Sequence, residues 1–185
     1  IGYAQQSAFL FSTTVGRNIG FSLDDPDSAE AHARIQAAAE DAQILHEVQG
    51  LPDGFDTVVG ERGVQLSGGQ KQRVALAAAF AARPKILVLD DPLSAVDART
   101  ERGILDAIER KSAEHSVILI THRVAAAALC DQVIVLDQGH VVERGSHAAL
   151  CARGGIYATF AEEQRIEREL EKLGQAEVLP EVTAP

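Results

Sequence analysis

Residues 66–91 read LSGGQKQRVALAAAFAARPKILVLDD, and the fold class follows from this segment. The part from Ser67 to Ala82 predicts a helix that ends before Pro84, because the residue ahead of a proline disfavours the helical conformation. The continuous apolar run that follows, at residues 86–89, is typical of a parallel strand covered on both faces. A helix followed by such a strand predicts an α/β protein.

Two later runs have the same character as this strand. Residues 117–120 and 133–136 are short, continuous and apolar, and helical segments of about 15 residues precede each of them, which predicts right-handed βαβ units. A last strand is predicted at residues 141–142, after a turn at residues 138–139. An amphipathic helix is predicted over residues 157–173, followed by a proline-containing tail.

Upstream of this core, residues 12–82 read as helical. Apolar residues recur at three- and four-residue spacing from Ser28 to Val48, which predicts one helix, and a turn at residues 51–54 closes it. Residues 1–11 read as a strand end and a loop. The sequence has no methionine and begins Ile-Gly-Tyr, so we expect it to start in the middle of a domain.

The composition limits the possible functions. The chain has 185 residues, 46% hydrophobic and 24% charged, which suffices for one core. It contains no apolar run long enough for a membrane span and no pattern of a secretion signal. The formal net charge of -10 argues against a general nucleic-acid binder. Cys130 and Cys151 lack CxxC spacing, which favours two small buried thiols.

The segment Leu66–Gln70 places two glycines at the start of a predicted helix. Gly68 and Gly69 allow a ligand to approach the backbone, the free amides of a helix N-terminus suit a phosphate, and Ser67 adds a hydroxyl group. The same residues also fit an ordinary serine N-cap beside glycines. This pentapeptide alone therefore leaves a phosphate site and a structural cap open.

Asp90 and Asp91 lie at the carboxyl end of the predicted strand, the edge at which open α/β sheets bind ligands. One carboxylate there can hold Mg²⁺, and the next can orient or deprotonate an attacking water. The alternative is a solvated acidic turn before Pro92. The apolar character of the strand favours the functional interpretation.

Two more polar residues follow predicted strands. His122 comes after the run at residues 117–120 and can reach the same sheet edge, although a lone histidine is more often structural. Gln6 lies past the first strand, where its amide can offer an oxygen to Mg²⁺ and a donor to water.

The order and spacing of these motifs resemble those of the ABC ATPase family, specifically the bacterial exporters with fused transmembrane helices. The resemblance covers approximately residues 1–165. The matching motifs are the Q-loop Tyr3–Gln6 (with Gln5 where proline is usual), the exporter X-loop Thr57–Gly63, the signature Leu66–Gln70, the Walker B strand Ile86–Asp90, the D-loop Ser94–Asp97 and the H-loop His122.

This resemblance implies a RecA-like P-loop NTPase fold, here partial, with an α-helical signature subdomain. The expected parts are the Q-loop and end of the RecA-like N-terminal part at 1–11, the helical subdomain at 12–82, the RecA-like core at 83–160, and a C-terminal helix and tail at 161–185. The P-loop pattern is absent, because no lysine follows a glycine. We expect it to lie upstream with the residue that stacks on adenine, and we expect the isolated fragment to bind ATP poorly and to be inactive.

The resemblance also implies that two such domains close head to tail around two ATP molecules. The signature residues would contact the γ-phosphate of the ATP bound to the partner, and the nucleotide-binding set is Ser67, Gly68, Gly69, Gln70 and Asp97. Asp90 and Gln6 would bind Mg²⁺ at this chain's own ATP. The catalytic residues there would be Asp91, His122 and Gln6.

Asp91 departs from the family pattern, in which the general base at this position is a glutamate. Aspartate is shorter by one carbon–carbon bond, about 1.5 Å, and a displacement of about 1 Å can cost on the order of 100-fold in rate. We therefore expect this chain's own site to be slow. A heterodimer whose partner supplies the glutamate fits this pattern, and a homodimer in which Asp91 works as the base is the alternative.

The resemblance implies an ATPase domain that drives export of a small molecule, lipid or drug at the cytoplasmic face of the inner membrane. A transmembrane domain, expected upstream in the same chain, would be contacted through Thr57–Gly63. The alternatives are a soluble ABC ATPase of DNA repair or translation, which the X-loop and Asp91 disfavour, and a non-hydrolysing regulatory subunit. In the latter, intact Gln6, Asp90 and His122 would be idle.

Overall fold

The computed structural model describes residues 1–60, 63–94 and 96–176, with side chains up to residue 170 in the last helix. Three groups of predicted residues lie outside this description: Glu61 and Arg62 of the X-loop, Ala95 of the D-loop, and the tail after residue 176. The chain forms two compact units, Ile1–His122 and the part from Arg123 onward. The domain boundaries expected from the sequence stay predictions.

The first unit carries most of the regular structure. In chain order it contains β1 (Gly2–Ala4), α1 (Val15–Ile19), α2 (Ala29–Asp41), α3 (Leu45–Gln49), a 3₁₀ turn (Gly54–Asp56), α4 (Gly68–Ala81), β2 (Ile86–Asp90), α5 (Ala98–Ser112) and β3 (Ser116–Ile120). The second unit contains α6 (Val124–Ala127), β4 (Val133–Asp137), β5 (His140–Gly145), α7 (His147–Arg153) and α8 (Ile156–Ala176).

The strands of the first unit form one parallel sheet in the order β1-β2-β3. Ala4 pairs with Leu89 and Asp90 pairs with Ile120, so the three carboxyl ends lie at one edge. Helix α5 connects β2 to β3, which confirms the first predicted pair of parallel strands joined by a helix.

Helix α4 agrees with the helix predicted for residues 67–82. It starts after the N-cap Ser67 and ends at Ala81, before Pro84. Its apolar side chains, among them Val74, Leu76 and Phe80, are buried, and α4 packs on α1, α2 and β1. Burial of this kind stabilises a helix more than its intrinsic propensity does, so α4 is anchored in the core of the unit.

The single helix predicted from Ser28 to Val48 is wrong. Ser28 caps α2 as expected, but the helix ends at Asp41 and α3 starts only at Leu45. Between them Gln43 has a φ of 55°, a left-handed conformation that cannot continue a right-handed helix. Apolar residues continue at helical spacing through the break, so the periodicity could not reveal it.

Strand β4 does not extend the parallel sheet. It pairs antiparallel with β5 in a two-stranded sheet, and α6 before it has only four residues, so the second predicted βαβ unit is wrong. Gln138 and Gly139 connect β4 to β5 with φ values of 47° and 80°. Two positive φ values are the mark of a type I′ turn, which matches the twist of a hairpin.

One face of the parallel sheet is exposed in this chain. Leu87 and Leu89 point to the opposite face and are buried, whereas Ile118 and Ile120 are 53% and 50% exposed. The prediction that these strands are covered on both faces is therefore wrong for β3 in the described chain.

The second unit has a small core of its own. Val124, Val133, Leu150 and Tyr157 form its buried cluster, and Cys151 packs against them. Both cysteines are free, as the sequence predicts, but they are only partly buried. None of the described helices combines the length and apolar character that a membrane span requires.

Candidate active site

The carboxyl edge of the parallel sheet brings together four residues that the sequence singled out. Asp90 ends β2, and Asp91 follows it directly. Gln6 and His122 each lie two residues beyond the ends of the neighbouring strands β1 and β3. Because the strands run parallel and in register, all four residues occupy the same edge.

Asp91 is held in an unusual conformation. Its φ is 47°, and its N–H donates to the carbonyl oxygen of Ile120 over 2.8 Å. Aspartate tolerates the left-handed region better than most residues, but the conformation is still uncommon outside glycine. Such conformations persist where surrounding contacts enforce them, and they cluster at functional sites.

The carboxylate of Asp91 is buried and incompletely bonded. The residue is 8% exposed, and its Oδ1 atom has no hydrogen bond. Nδ1 of His122 lies 3.3 Å from Oδ1, which is within ion-pair range, but the two atoms do not form a hydrogen bond. The burial of Asp91 contradicts the alternative of a solvated acidic turn. A carboxylate oxygen without a hydrogen bond also costs free energy inside a protein.

The geometry of Asp91 and His122 suits proton transfer. The carboxylate has a free acceptor atom, and the imidazole beside it is largely exposed. Oδ1 can accept a proton, because no hydrogen bond occupies it. This arrangement can serve as a general base with a neighbouring proton carrier.

Asp90 has a partner that the sequence did not predict. The hydroxyl group of Tyr3 donates to Oδ2 of Asp90 over 3.1 Å. This hydrogen bond, together with desolvation and the carboxylate's charge, raises the pKa of the Tyr3 phenol. Tyr3 pairs with Val88 in the sheet, so the alternation of side chains places it on the same face as Asp90. That alternation is the signal through which the contact could have been found.

The start of α4 is a complete capping box. Oγ of Ser67 accepts from the N–H of Gln70 over 3.2 Å, and Oε1 of Gln70 accepts from the N–H of Ser67 over 2.8 Å. A Cβ atom added at Gly68 would meet nothing within 4 Å, so packing within the described chain does not require glycine there. The structural cap and an open approach to the helix amides thus coexist.

A polar network fixes this helix start to α3. Nε2 of Gln70 donates to Glu47 over 2.9 Å, and Arg73 forms an ion pair with the same carboxylate at 2.7 Å. Arg73 also donates to the carbonyl oxygen of Gln43. The Gln70 side chain is therefore engaged within the chain, and its predicted contact with nucleotide stays a prediction.

Asp97 is the N-cap of α5. Its Oδ1 accepts from the N–H groups of Arg99 and Thr100, and its Oδ2 accepts from the Thr100 hydroxyl over 2.7 Å. The backbone and side-chain hydrogen bonds from Thr100 lower the pKa of Asp97 to about 2. These bonds give Asp97 a structural role within α5, and its predicted role at a nucleotide is untested.

The segment predicted to face a membrane domain is tied to the loop before α1. Thr57 is buried, and its carbonyl oxygen accepts from Val15, while Val59 donates to Thr13. A Cβ atom at Gly63 would lie 2.2 Å from the carbonyl oxygen of Val58, so only glycine fits there. The described residues of this segment are thus held by backbone hydrogen bonds to the loop before α1.

Fold and site together define an α/β nucleotide-binding domain of the P-loop NTPase type. Residues 1–94 match the family described as ABC transporter, and the chain belongs to that family. The predicted family and fold class are confirmed.

Individual relatives agree with this assignment. The chain is 43% identical over 168 residues to the mitochondrial potassium channel ATP-binding subunit of Xenopus tropicalis, covering 90% of this chain and 24% of that protein. It is 42% identical over 167 residues to an ATM1-type heavy metal exporter of Novosphingobium aromaticivorans, covering 90% and 27%. A solved structure of a bacterial Atm1-family ABC exporter with ATP bound matches with a TM-score of 0.80 at 42% identity, covering 89% of this chain and 28% of that one.

The chain thus spans about a quarter of the length of these relatives. Family membership implies nucleotide binding, and the oxygen donors at the sheet edge fit Mg²⁺. Asp90 supplies a carboxylate and Gln6 an amide oxygen, the ligand types that Mg²⁺ takes together with water and substrate phosphates.

Proposed function

We propose that this chain binds and hydrolyses ATP with Mg²⁺ as the ATPase domain of an ABC exporter. The observation that carries the proposal is the buried Asp91 carboxylate with an unbonded oxygen at the carboxyl edge of the sheet, beside His122. The exporter relatives and the matching exporter structure support the transport function. The cargo would be a small molecule, lipid or drug.

In this proposal the edge residues divide the chemistry, and Gln6 serves both the Mg²⁺ and, as a donor, the attacking water. Asp90 and Gln6 hold Mg²⁺, which neutralises charge on the phosphate oxygens when it is bound with ATP. Oδ1 of Asp91 accepts the proton of the attacking water. His122 lies close enough to Oδ1 to take part in moving that proton. Tyr3 holds the Asp90 carboxylate in place through its hydroxyl group.

The signature residues act on a different nucleotide. The amides at the start of α4 and the Ser67 hydroxyl would bind the γ-phosphate of the ATP held by a second domain. The open space at Gly68 supports this assignment, since a phosphate can approach the backbone there. The full set proposed for nucleotide contact is Ser67, Gly68, Gly69, Gln70 and Asp97.

Because Asp91 is shorter than the glutamate usual in the family, this chain's own site would be slow. We propose a heterodimer whose partner domain carries the glutamate and uses the signature of this chain. The assembly would lie at the cytoplasmic face of the inner membrane. The Thr57–Gly63 segment would contact a transmembrane domain.

Two substitutions of Asp91 test the asymmetry in the purified full-length complex at saturating MgATP. In a heterodimer with a catalytic partner, Asp91→Asn leaves most of the steady-state ATPase activity, and Asp91→Glu raises turnover or weakens coupling between the two sites. In a homodimer, Asp91→Asn removes the only base and lowers the rate by about 10² to 10⁴. A dead Asp91→Asn complex would contradict the heterodimer and leave family membership intact.

A second candidate is a subunit that clamps ATP without hydrolysing it. The name of the Xenopus relative, an ATP-binding subunit of a channel, and the short Asp91 side chain favour it. This candidate predicts that the complex binds ATP but releases no phosphate from it. Phosphate release that depends on this chain's signature would contradict it.

A further inference from the structure

Gln72 is a buried polar residue in α4 that none of the roles above requires. It is 6% exposed and lies on the same side of the helix as the buried Leu76. A buried amide costs free energy unless its donors and acceptor are bonded. The partners of Gln72 therefore indicate what this residue does.

The side-chain amide of Gln72 bonds to the turn that follows β2. Its Nε2 donates to the carbonyl oxygen of Asp91 over 2.8 Å and to Oγ of Ser94 over 3.0 Å. Its Oε1 lies 3.3 Å from the same hydroxyl group, within range to accept a hydrogen bond from it. Gln72 is thus a direct link between the signature helix and the residue after Walker B.

Because of this hydrogen bond, both backbone polar groups of Asp91 are held by neighbouring elements. The N–H of Asp91 is fixed by Ile120 in β3, and its carbonyl oxygen is fixed by Gln72 in α4. With both flanking peptide groups held, the direction of the Cα–Cβ bond is set. The carboxylate consequently stays near His122, although a φ of 47° is unfavourable for a residue other than glycine.

Gln72 lies one helical turn after Gly68, in the same rigid helix whose start would contact the partner's nucleotide. On the basis of the proposed function, we propose that Gln72 is a positioning residue. When α4 moves, the hydrogen bond from Gln72 moves the Asp91 carboxylate with it. Binding of the partner's nucleotide to the signature would then determine the position of the general base at this chain's own site.

The test uses the full-length complex with the partner's catalytic glutamate replaced by glutamine, so that the remaining ATPase activity reports this chain's own site. Gln72→Leu keeps the size of the side chain and removes its hydrogen bonds. We expect kcat to fall about 10- to 100-fold, the effect of a misplacement of roughly 1 Å, with little change in KM for ATP. In an Asp91→Asn background, Gln72→Leu should cause no further loss.

A second variant separates positioning from packing. Gln72→Glu has the same shape but can donate to the Asp91 carbonyl oxygen only when protonated, and burial raises the pKa of a carboxyl group. The activity of this variant relative to wild type should therefore rise as the pH is lowered from 8 to 6. A ratio that does not change with pH contradicts the proposal.

Gln132→Leu is the matched control, because it makes the same exchange at an exposed position in the second unit and should keep wild-type activity. Equal losses from Gln72→Leu with and without Asp91 would overturn the positioning role and leave the proposed function standing. A wild-type complex that binds ATP but never hydrolyses it would instead contradict the proposed function.

If the complex binds ATP without hydrolysing it, hydrogen exchange at the Asp91 amide tests the role of Gln72 without any turnover. Addition of MgATP should slow exchange of the Asp91 amide in the wild-type complex, and Gln72→Leu should abolish this slowing. Slowing that survives in the variant would overturn the proposal.

Discussion

The start of α4 and the carboxyl edge of the parallel sheet carry the two halves of the proposed nucleotide chemistry. They differ in how far their polar groups are hydrogen-bonded. At the start of α4, Ser67 and Gln70 satisfy each other and Gln70 also bonds to Glu47. At the sheet edge, Asp91 has a positive φ and a buried oxygen without a hydrogen bond. The first region is complete within the chain, whereas the second is not.

The two regions should therefore respond differently to amino-acid substitution. A capped helix start keeps its shape by local bonds and still offers free backbone amides, so activity and stability can be altered there separately. Asp91 has a positive φ, and contacts from β3 and α4 hold its backbone, so substitutions around it should alter geometry and chemistry together. Substitutions in the two regions should therefore differ in whether activity and stability change together.

The largest effect is expected from Gly69→Asp in the full-length complex. The substitution places a negative charge in the path of the γ-phosphate of the partner's ATP, so ATPase activity should fall to near background. The same charge lies in the first turn of α4, where the helix dipole favours an acidic residue. Thermal unfolding should therefore show a protein at least as stable as wild type.

Gly69→Asn controls for size, since it adds a similar side chain without charge. It should retain more activity than Gly69→Asp. More than about half of wild-type ATPase activity in Gly69→Asp would show that this signature does not complete the fast site, because one lost electrostatic contact of this kind should cost on the order of 100-fold.

A moderate effect on stability is expected from Ser67→Ala. Loss of the hydroxyl group breaks one half of the capping box and should lower the free energy of unfolding by about 1 kcal/mol. Ser67→Thr keeps an N-cap hydroxyl group and should lower it less. Urea titration of the domain measures both values. Equal stability of the alanine and threonine variants would show that the cap does not hold this helix start.

The smallest effect concerns the titration of Asp97. The pKa of Asp97 is lowered to about 2 from its ordinary value of 3.8. The charged form therefore stabilises α5 fully at pH values above 3.8. That contribution is lost as the pH falls from 3.8 toward 2. Thr100→Val removes the hydroxyl donor and should raise the pKa measured by NMR, while Thr100→Ser should keep it low. An unchanged pKa in the valine variant would contradict the role of this hydroxyl group.

The sequence predicts the local features of the molecule well. The helix at α4, its serine cap and the apolar strand before Asp90 follow from residues that are close in sequence. The shared edge of Asp90 and His122 also follows, because parallel strands align their carboxyl ends. These features need only spacing and residue type.

Contacts between distant segments could not be predicted in this way. The bond from Gln72 to Asp91 joins α4 to the turn after β2, where Asp91 has a left-handed backbone. The break at Gln43 is hidden because the apolar spacing continues through it. The pairing of β4 with β5 was missed because a short apolar run does not specify its neighbour in a sheet.

The hydrogen bond from Tyr3 to Asp90 also gives the chain an optical reporter. The chain has two tyrosines and no tryptophan, and the other tyrosine, Tyr157, bonds to His147 in the second unit. A phenol bonded to a carboxylate loses its excited-state energy by proton transfer, so its fluorescence is quenched. We therefore expect the emission of Tyr3 to increase when Oδ2 of Asp90 bonds to another partner, so that the chain reports the state of this carboxylate without any attached dye.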